Sequence, residues 1–166
     1  IHDFSGRAIY SDDTFSTFSL INSNIYDGSS NEGYISFTDT YVILDNLILD
    51  GTGNSSTGIH FSGTGTFSMD NTQMSNFTDK GLDISGNNSY HNITNSEFSD
   101  CGGYGVYANS NTDISFSNCE FRNNNHGLCL NSNSNLILTE SQFHDASNYG
   151  IFINSSVSYI IDKSEF

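Results

Sequence analysis

The chain has 166 residues, with 19 Asp and Glu against four Lys and Arg, and a formal net charge of −15. It contains no Pro and no Trp, and Asn, Ser, Thr and Gly fill the stretches between short apolar segments. This charge excludes nucleic acid and anionic membrane surfaces as partners, because both need a basic patch, and no apolar run approaches the roughly 18 residues of a membrane-spanning helix.

Read from the N-terminus, one pattern recurs: apolar-x-apolar-x-Asn-x-x-apolar. Its first copy is Phe18, Leu20, Asn22 and Ile25, and its second is Val42, Leu44, Asn46 and Leu49. The next three are Phe67, Met69, Asn71, Met74; His91, Ile93, Asn95, Phe98; and Ile114, Phe116, Asn118, Phe121. Leu136, Leu138, Glu140, Phe143 and Tyr159, Ile161, Lys163, Phe166 complete the series. Between these copies lies a second register, Gly-apolar-x-apolar, opening at Gly58, Gly81, Gly105, Gly127 and Gly150 with steps of 22 to 24 residues. Arg7 and Tyr34 are read as taking the glycine's place in the first two units.

A fixed period with alternation of two inside each unit is the signature of a solenoid. Three short strands per unit give an all-β chain with no α-helix of note, a single domain over residues 1–166. The expected fold is a right-handed parallel β-helix of about seven coils of 22–25 residues, the hand following from the rule for parallel crossovers. Equivalent residues on successive coils stack about 4.8 Å apart. Phe98, Phe121, Phe143 and Phe166 are therefore expected to form an internal aromatic ladder, and Asn22, Asn46, Asn71, Asn95 and Asn118 an amide ladder at a turn. The glycine column is expected to mark positive φ or a tight corner.

The pattern resembles the parallel β-helix repeats of the pectin-lyase-like superfamily over essentially the whole chain. The stretch from Ile114 to Asn124, with its Phe-x-x-Asn element at Phe121–Asn124, is similar to the surface and adhesin type rather than the enzyme type. The resemblance implies the fold and leaves the activity open. Enzymes of the superfamily act on acidic polysaccharides. Of their elements only Asn111-Thr112-Asp113 is present, without the residues that should follow it. Arg7, Lys80, Arg122 and Lys163 are read as lying on different coils in different columns, and His91 as a core histidine. No catalytic residue is assigned.

Other candidates come from the outward columns and the ends. Tyr104, Tyr107, Tyr149 and Phe152 form a possible sugar-stacking or protein-contact strip. Asp45, Asp70, Glu97 and Glu120 offer hard oxygens for a weakly bound Ca²⁺; no other cofactor is expected. Sequons stand at Asn54, Asn76, Asn87, Asn92 and Asn154, with Asn54 and Asn87 in the best loop positions. The three cysteines form no disulfide framework, although a Cys101–Cys119 bridge is sterically conceivable; Cys119 is read as a buried thiol and Cys129 as outward.

Neither end carries a polar cap, and a start at Ile1 without Met suggests a mature or excised segment. Joining Phe166 to Ile1 continues the pattern, with Ala8 and Tyr10 inward, so Ile1, Phe4, Ala8, Tyr10, Tyr159, Ile161 and Phe166 are expected at a head-to-tail interface. The expected function is a non-catalytic structural rod, extracellular or at the cell surface, stacking on copies of itself or on further coils. A glycan-binding adhesin is the alternative, and a polysaccharide lyase or hydrolase the second.

Overall fold

A computed structural model of the chain describes residues 1–12, 16–29, 33–52, 54–87, 89–109, 111–131, 133–154 and 158–166. Every strand pairing in it is parallel. One sheet is a stack of seven strands: Ile9–Ser11, Ile35–Thr38, Thr57–Gly63, Lys80–Gly86, Tyr104–Ala108, His126–Leu130 and Tyr149–Ile153. The other begins with the two long strands Thr17–Tyr26 and Tyr41–Asp50. Each later coil divides that length in two, as in Thr112–Ser117 followed by Glu120–Arg122. Each coil thus contributes three strand segments, each hydrogen-bonded to its counterpart one coil on. The described residues form a parallel β-solenoid without an α-helix.

The core follows the alternation. Inward residues such as Ile59, Leu82, Val106 and Leu128 are buried in one register column. The aromatic ladder forms as expected. Phe98 stacks on Phe121 at 5.2 Å, Phe121 on Phe143 at 4.3 Å, and Phe143 on Phe166 at 5.1 Å. Met74, Leu49 and Ile25 continue the column in register. His91 is a core residue: its Nδ1 accepts the Phe67 amide at 3.2 Å, its Nε2 meets Ser89 Oγ at 3.0 Å, and its ring stacks on Phe67.

Two columns exchange the roles assigned to them. Positive φ belongs to the Asn column: Asn22, Asn46, Asn71, Asn95 and Asn118 have φ between 48° and 54°. Asn tolerates this left-handed conformation better than most residues because its short amide bonds locally. The repeat glycines at 58, 81, 105, 127 and 150 are absent from the positive-φ set. They are small because the next coil is close. A Cβ at Gly105 would lie 2.7 Å from the Gly127 carbonyl oxygen, and one at Gly127 2.5 Å from that of Gly150. The column is a contact between backbones, not a corner in one of them.

The amide ladder is present with one substitution. Asn46 donates to Asn22 at 2.6 Å, Asn71 to Asn46 at 3.1 Å and Asn118 to Asn95 at 2.8 Å. Asn95 turns instead to Asp70 at 2.7 Å. Glu140 and Lys163 keep the left-handed backbone and replace the amide rung by an ion pair at 3.3 Å.

The first coil differs from its reading by one residue. Ile9 pairs with Ile35 and Tyr10 with Ser36, so Ala8, not Arg7, holds the glycine position. Tyr10 points outward and is 52% exposed, so it does not fill the core. Ile1 bonds Asn24 and Tyr26 as a parallel partner of Ile25, which places it in the column that Phe166 also occupies. The tail-to-head join is therefore out of register by one residue. The cause is that Ile1 itself holds the ladder position: Ala8 follows it by seven residues, as Gly150 follows Phe143, so a chain running on from Phe166 would place two consecutive residues in one column.

Candidate functional site

The outer face of the seven-stranded sheet gathers most of the chemistry. The residue before each glycine forms one column, in which Thr57, Lys80, Tyr104, His126 and Tyr149 are successive partners. Two residues after the glycine lies the other: His60, Asp83, Tyr107, Cys129 and Phe152. The two columns meet edge to edge.

Their later half is aromatic. Tyr104, Tyr107, Tyr149 and Phe152 are brought together as expected, but His126 is the rung that joins them. Tyr104 stacks on His126 at 4.9 Å and His126 on Tyr149 at 5.4 Å, within 20° of parallel. Tyr149 in turn stacks on Phe152 at 5.4 Å. Tyr107 tilts against Tyr104 at 5.0 Å and carries the Lys80 ammonium 5.0 Å from its ring centre. Rings stacked along the rod spend their faces on each other and show the solvent their edges. Tyr149, 49% exposed, is the member left open. Tyr104, Tyr149 and His126 begin strands rather than ending loops. The signal for His126 was its place before Gly127, the place Tyr104 holds before Gly105.

The earlier half is a charged groove of about 460 Å³ lined by Arg7, Ser56, Thr57, His60, Asp79, Lys80 and Asp83. With Ala8 in the glycine position, Arg7 shares the column of Lys80 and does not stand apart from it. Lys80 Nζ lies 3.1 Å from Asp83 and 3.5 Å from Asp79. His60 Nδ1 lies 3.5 Å from the same Asp83 oxygen, a partner its sequence neighbours did not reveal. Burial alone would raise the Asp83 pKa, but His60 and Lys80 hold it below the ordinary carboxylate range. Burial would likewise lower Lys80, and the two carboxylates outweigh it and keep the ammonium pKa above its usual value.

The expected Ca²⁺ carboxylates are differently engaged. Glu97 and Glu120 are register partners, as are Asp45 and Asp70. Arg122 reaches Glu97, Asp100 and Glu120, and His144 bridges Glu120 at 2.8 Å and Asp145 at 2.9 Å. Asp145 and Glu120 together raise the His144 pKa. Asp70 accepts from Thr94 at 2.6 Å and from Asn95, and these bonds lower its pKa. The described residues contain no group of three or more His, Cys, Asp or Glu able to hold a metal ion.

The remaining candidates separate by environment. Asn54 and Asn87 are exposed at turns. Asn76 donates to Asp50 at 3.0 Å and Asn154 to Asn131 at 2.8 Å; the two residues after Asn154 lie outside the described set. Asn92 is half-buried on the outer face of Ser89–Thr94. All three cysteines are free and buried. That includes Cys129, which faces outward but lies between Tyr107 and Phe152 and is only 2% exposed. At the C-terminal end Phe143, Ile151, Tyr159, Ile161 and Phe166, with His144 and Asp145, line a cleft of about 560 Å³. At the other end Ile1 is exposed, while Phe4 packs its ring edge-on against Tyr34 at 4.8 Å. No helix among the described residues is long and apolar enough to cross a membrane.

Parallel coils, buried ladders and an outer face built from repeat columns define a β-solenoid. A family model described as the right-handed β-helix region matches residues 2–166, and the chain belongs to that family. No curated protein and no solved structure gives a significant match.

Proposed function

We propose that the chain is a non-catalytic structural module of the cell exterior, a stiff β-helical rod on which further coils stack end to end. One observation carries this reading: polar and aromatic side chains on several outward columns bond or stack on neighbouring coils. Besides the turn ladder, Asn131 bonds Asn109 at 3.1 Å and Asn154 bonds Asn131. Arg122 and His144 tie carboxylates of successive coils together. The Tyr104–His126–Tyr149 stack does the same with rings. Each rung is worth a few tenths of a kcal/mol to about 1 kcal/mol, and their repetition resists bending.

The groove supports the non-catalytic side of the reading. Asp83 is driven further toward its ionised form and Lys80 further toward its protonated form. A general acid or base works best with its pKa near the working pH, and these two are displaced the other way. Exposed sequon asparagines at Asn54 and Asn87 support the extracellular placement. Stacking is supported by the coil geometry, in which each strand pairs in parallel with its counterpart one coil on, an arrangement that further coils extend without change.

The test is sedimentation velocity over a range of protein concentration. The chain is expected to associate end to end, and Ile161→Asp with Phe166→Asp to abolish this while keeping the β-rich circular dichroism. A chain that stays monomeric at all concentrations would remove the stacking element. Release of new ends from neutral or acidic polysaccharides would overturn the non-catalytic one.

A further inference from the structure

We infer that the outer face of the sheet beginning with Thr17–Tyr26 and Tyr41–Asp50 docks a basic amphipathic segment of another polypeptide. The inference does not depend on end-to-end stacking. Ahead of the Asn turn, the outward side chains of this sheet form three register columns. One carries Tyr41, Tyr90 and Asp113, and the next runs from Ile43 through Ser68, Asn92 and Ser115 to Ile137. The third carries Asp45, Asp70 and, further on, Asp162. Tyr41, Ile43, Tyr90 and Ile137 are between 39% and 51% exposed, although their strands are paired on both sides. Their exposure is therefore a property of the face and not of either end of the stack. Among the described residues neither Tyr41 nor Tyr90 stacks on another ring, unlike Tyr104 and Tyr149 on the other sheet. Exposed aliphatic side chains beside open tyrosines are the composition of a protein-contact surface.

The charge of the face selects the partner. Its columns hold Asp45, Asp70, Asp113 and Asp162, and no Lys, Arg or His. Among the described residues none of these four carboxylates is in an ion pair. Asp70 and Asp113 accept from neutral groups, those of Thr94, Asn95 and Asn135. The cations of the chain are placed elsewhere: Lys80 with Asp83, Arg122 with Glu97, Lys163 with Glu140, and Arg7 in the groove of the other sheet. The charges that complement this face must come from the partner, interspersed with apolar side chains that cover Ile43 and Ile137. A second copy brings a further net charge of −15 and a face of the same sign. Size points the same way. The three columns cover about 16 Å along a strand and about 34 Å along the rod. That flat area falls short of the roughly 800 Å² each partner buries in a standard interface between folded proteins, and it suits a single segment. Ile43 and Ile137 are four coils apart in register, about 19 Å. A segment that reaches both needs about 6 residues when extended or about 13 when helical.

Calorimetric titration with three synthetic peptides of about 18 residues, long enough to reach both isoleucines, tests this. One alternates Leu and Lys in helical amphipathic order, one has Ser in place of Leu, and one has Glu in place of Lys. At physiological ionic strength the Leu/Lys peptide should bind at least about tenfold more tightly than the Ser/Lys peptide, and the Leu/Glu peptide should not bind. Ile43→Thr with Ile137→Thr keeps the β-branched shape that strands favour and should weaken binding about tenfold or more; Tyr90→Ser should weaken it independently. Asp45→Asn with Asp70→Asn should weaken it and flatten its dependence on salt. Tyr149→Ala, on the other sheet, should leave it unchanged. Wild-type thermal unfolding qualifies each variant as folded. Equal binding of the Leu/Lys and Ser/Lys peptides would show general attraction to an acidic chain and overturn the site. Absence of binding, or binding indifferent to Ile43, Ile137 and Tyr90, would overturn it as well. Dimerisation of the chain alone, abolished by Ile43→Thr with Ile137→Thr, would overturn the choice of partner.

Discussion

Replacing His91 by leucine, the residue that Leu136 supplies to the same column, should make the protein resist acid. The imidazole is fully buried. Its Nδ1 accepts the Phe67 N–H, so the ring proton sits on Nε2 and is donated to Ser89 Oγ. A second proton would have to face the Phe67 donor among stacked apolar rings, and burial lowers the pKa from 6.5 to about 3. At pH 7 the residue is neutral in folded and unfolded chain alike. Below about pH 6.5 the unfolded chain takes up a proton that the folded one refuses, so stability falls by up to about 1.4 kcal/mol per pH unit. The fall continues until the folded ring also titrates, near pH 3. Between pH 6.5 and 4 this amounts to about 3 kcal/mol. Urea unfolding followed by circular dichroism, at intervals from pH 7 to 4, reads it directly. The many carboxylates are common to both proteins and cancel in the comparison. The variant should lose some stability at pH 7, because the Phe67 donor is left without its acceptor. It should gain on the wild type by about 3 kcal/mol as the pH falls to 4. A difference between the two that does not change with pH would refute the account of His91.

Other expectations follow from the columns. Gly105→Ala should destabilise by about 1–3 kcal/mol in denaturant titrations, because its methyl group would press on the Gly127 carbonyl and the Asn124 amide. Phe121→Ala should cost about 3–5 kcal/mol by the same measurement, since the ring is stacked on both sides. At Asn118, with φ of 54°, substitution by glycine should be milder than substitution by alanine by about 1–2 kcal/mol; equal costs would show that the left-handed backbone is unimportant there. In the native state none of the three thiols should react with iodoacetamide at mildly alkaline pH. Burial pushes Cys101 up to about 12 and Cys119 and Cys129 up to about 11. All three should label once the chain is unfolded.

The solenoid was legible because its signal is repeated. The Phe98–Phe166 ladder, the Asn column and the interior place of His91 each follow from alternation plus period, so the sequence alone places them. What alternation does not encode is distance between coils. The glycines at 105 and 127 are small because two backbones approach, a fact invisible until the coils are stacked. Likewise Cys129 faces outward yet is covered, because burial on an outer column depends on the size of Tyr107 and Phe152 above and below it. Spacing also failed at the first coil, where no earlier repeat sets the count. Ile1 itself holds the ladder position, so the glycine place falls seven residues on at Ala8, with Arg7 in the column of Lys80 and Tyr10 on the outside. The groove depends on that placement. The partnership of His60 with Asp83 joins residues on adjacent coils, and only register brings them together.

Electron microscopy of native material, averaged along any rod, tests the central claim most directly. Seven strands per stack at about 4.8 Å predict a continuous β-helical body about 34 Å long for each copy of this chain. Coils should continue past Phe166 without a break in the 4.8 Å layering. Rods that end at Phe166, closed by polypeptide of another fold, would contradict end-to-end stacking and leave the chain a bounded module.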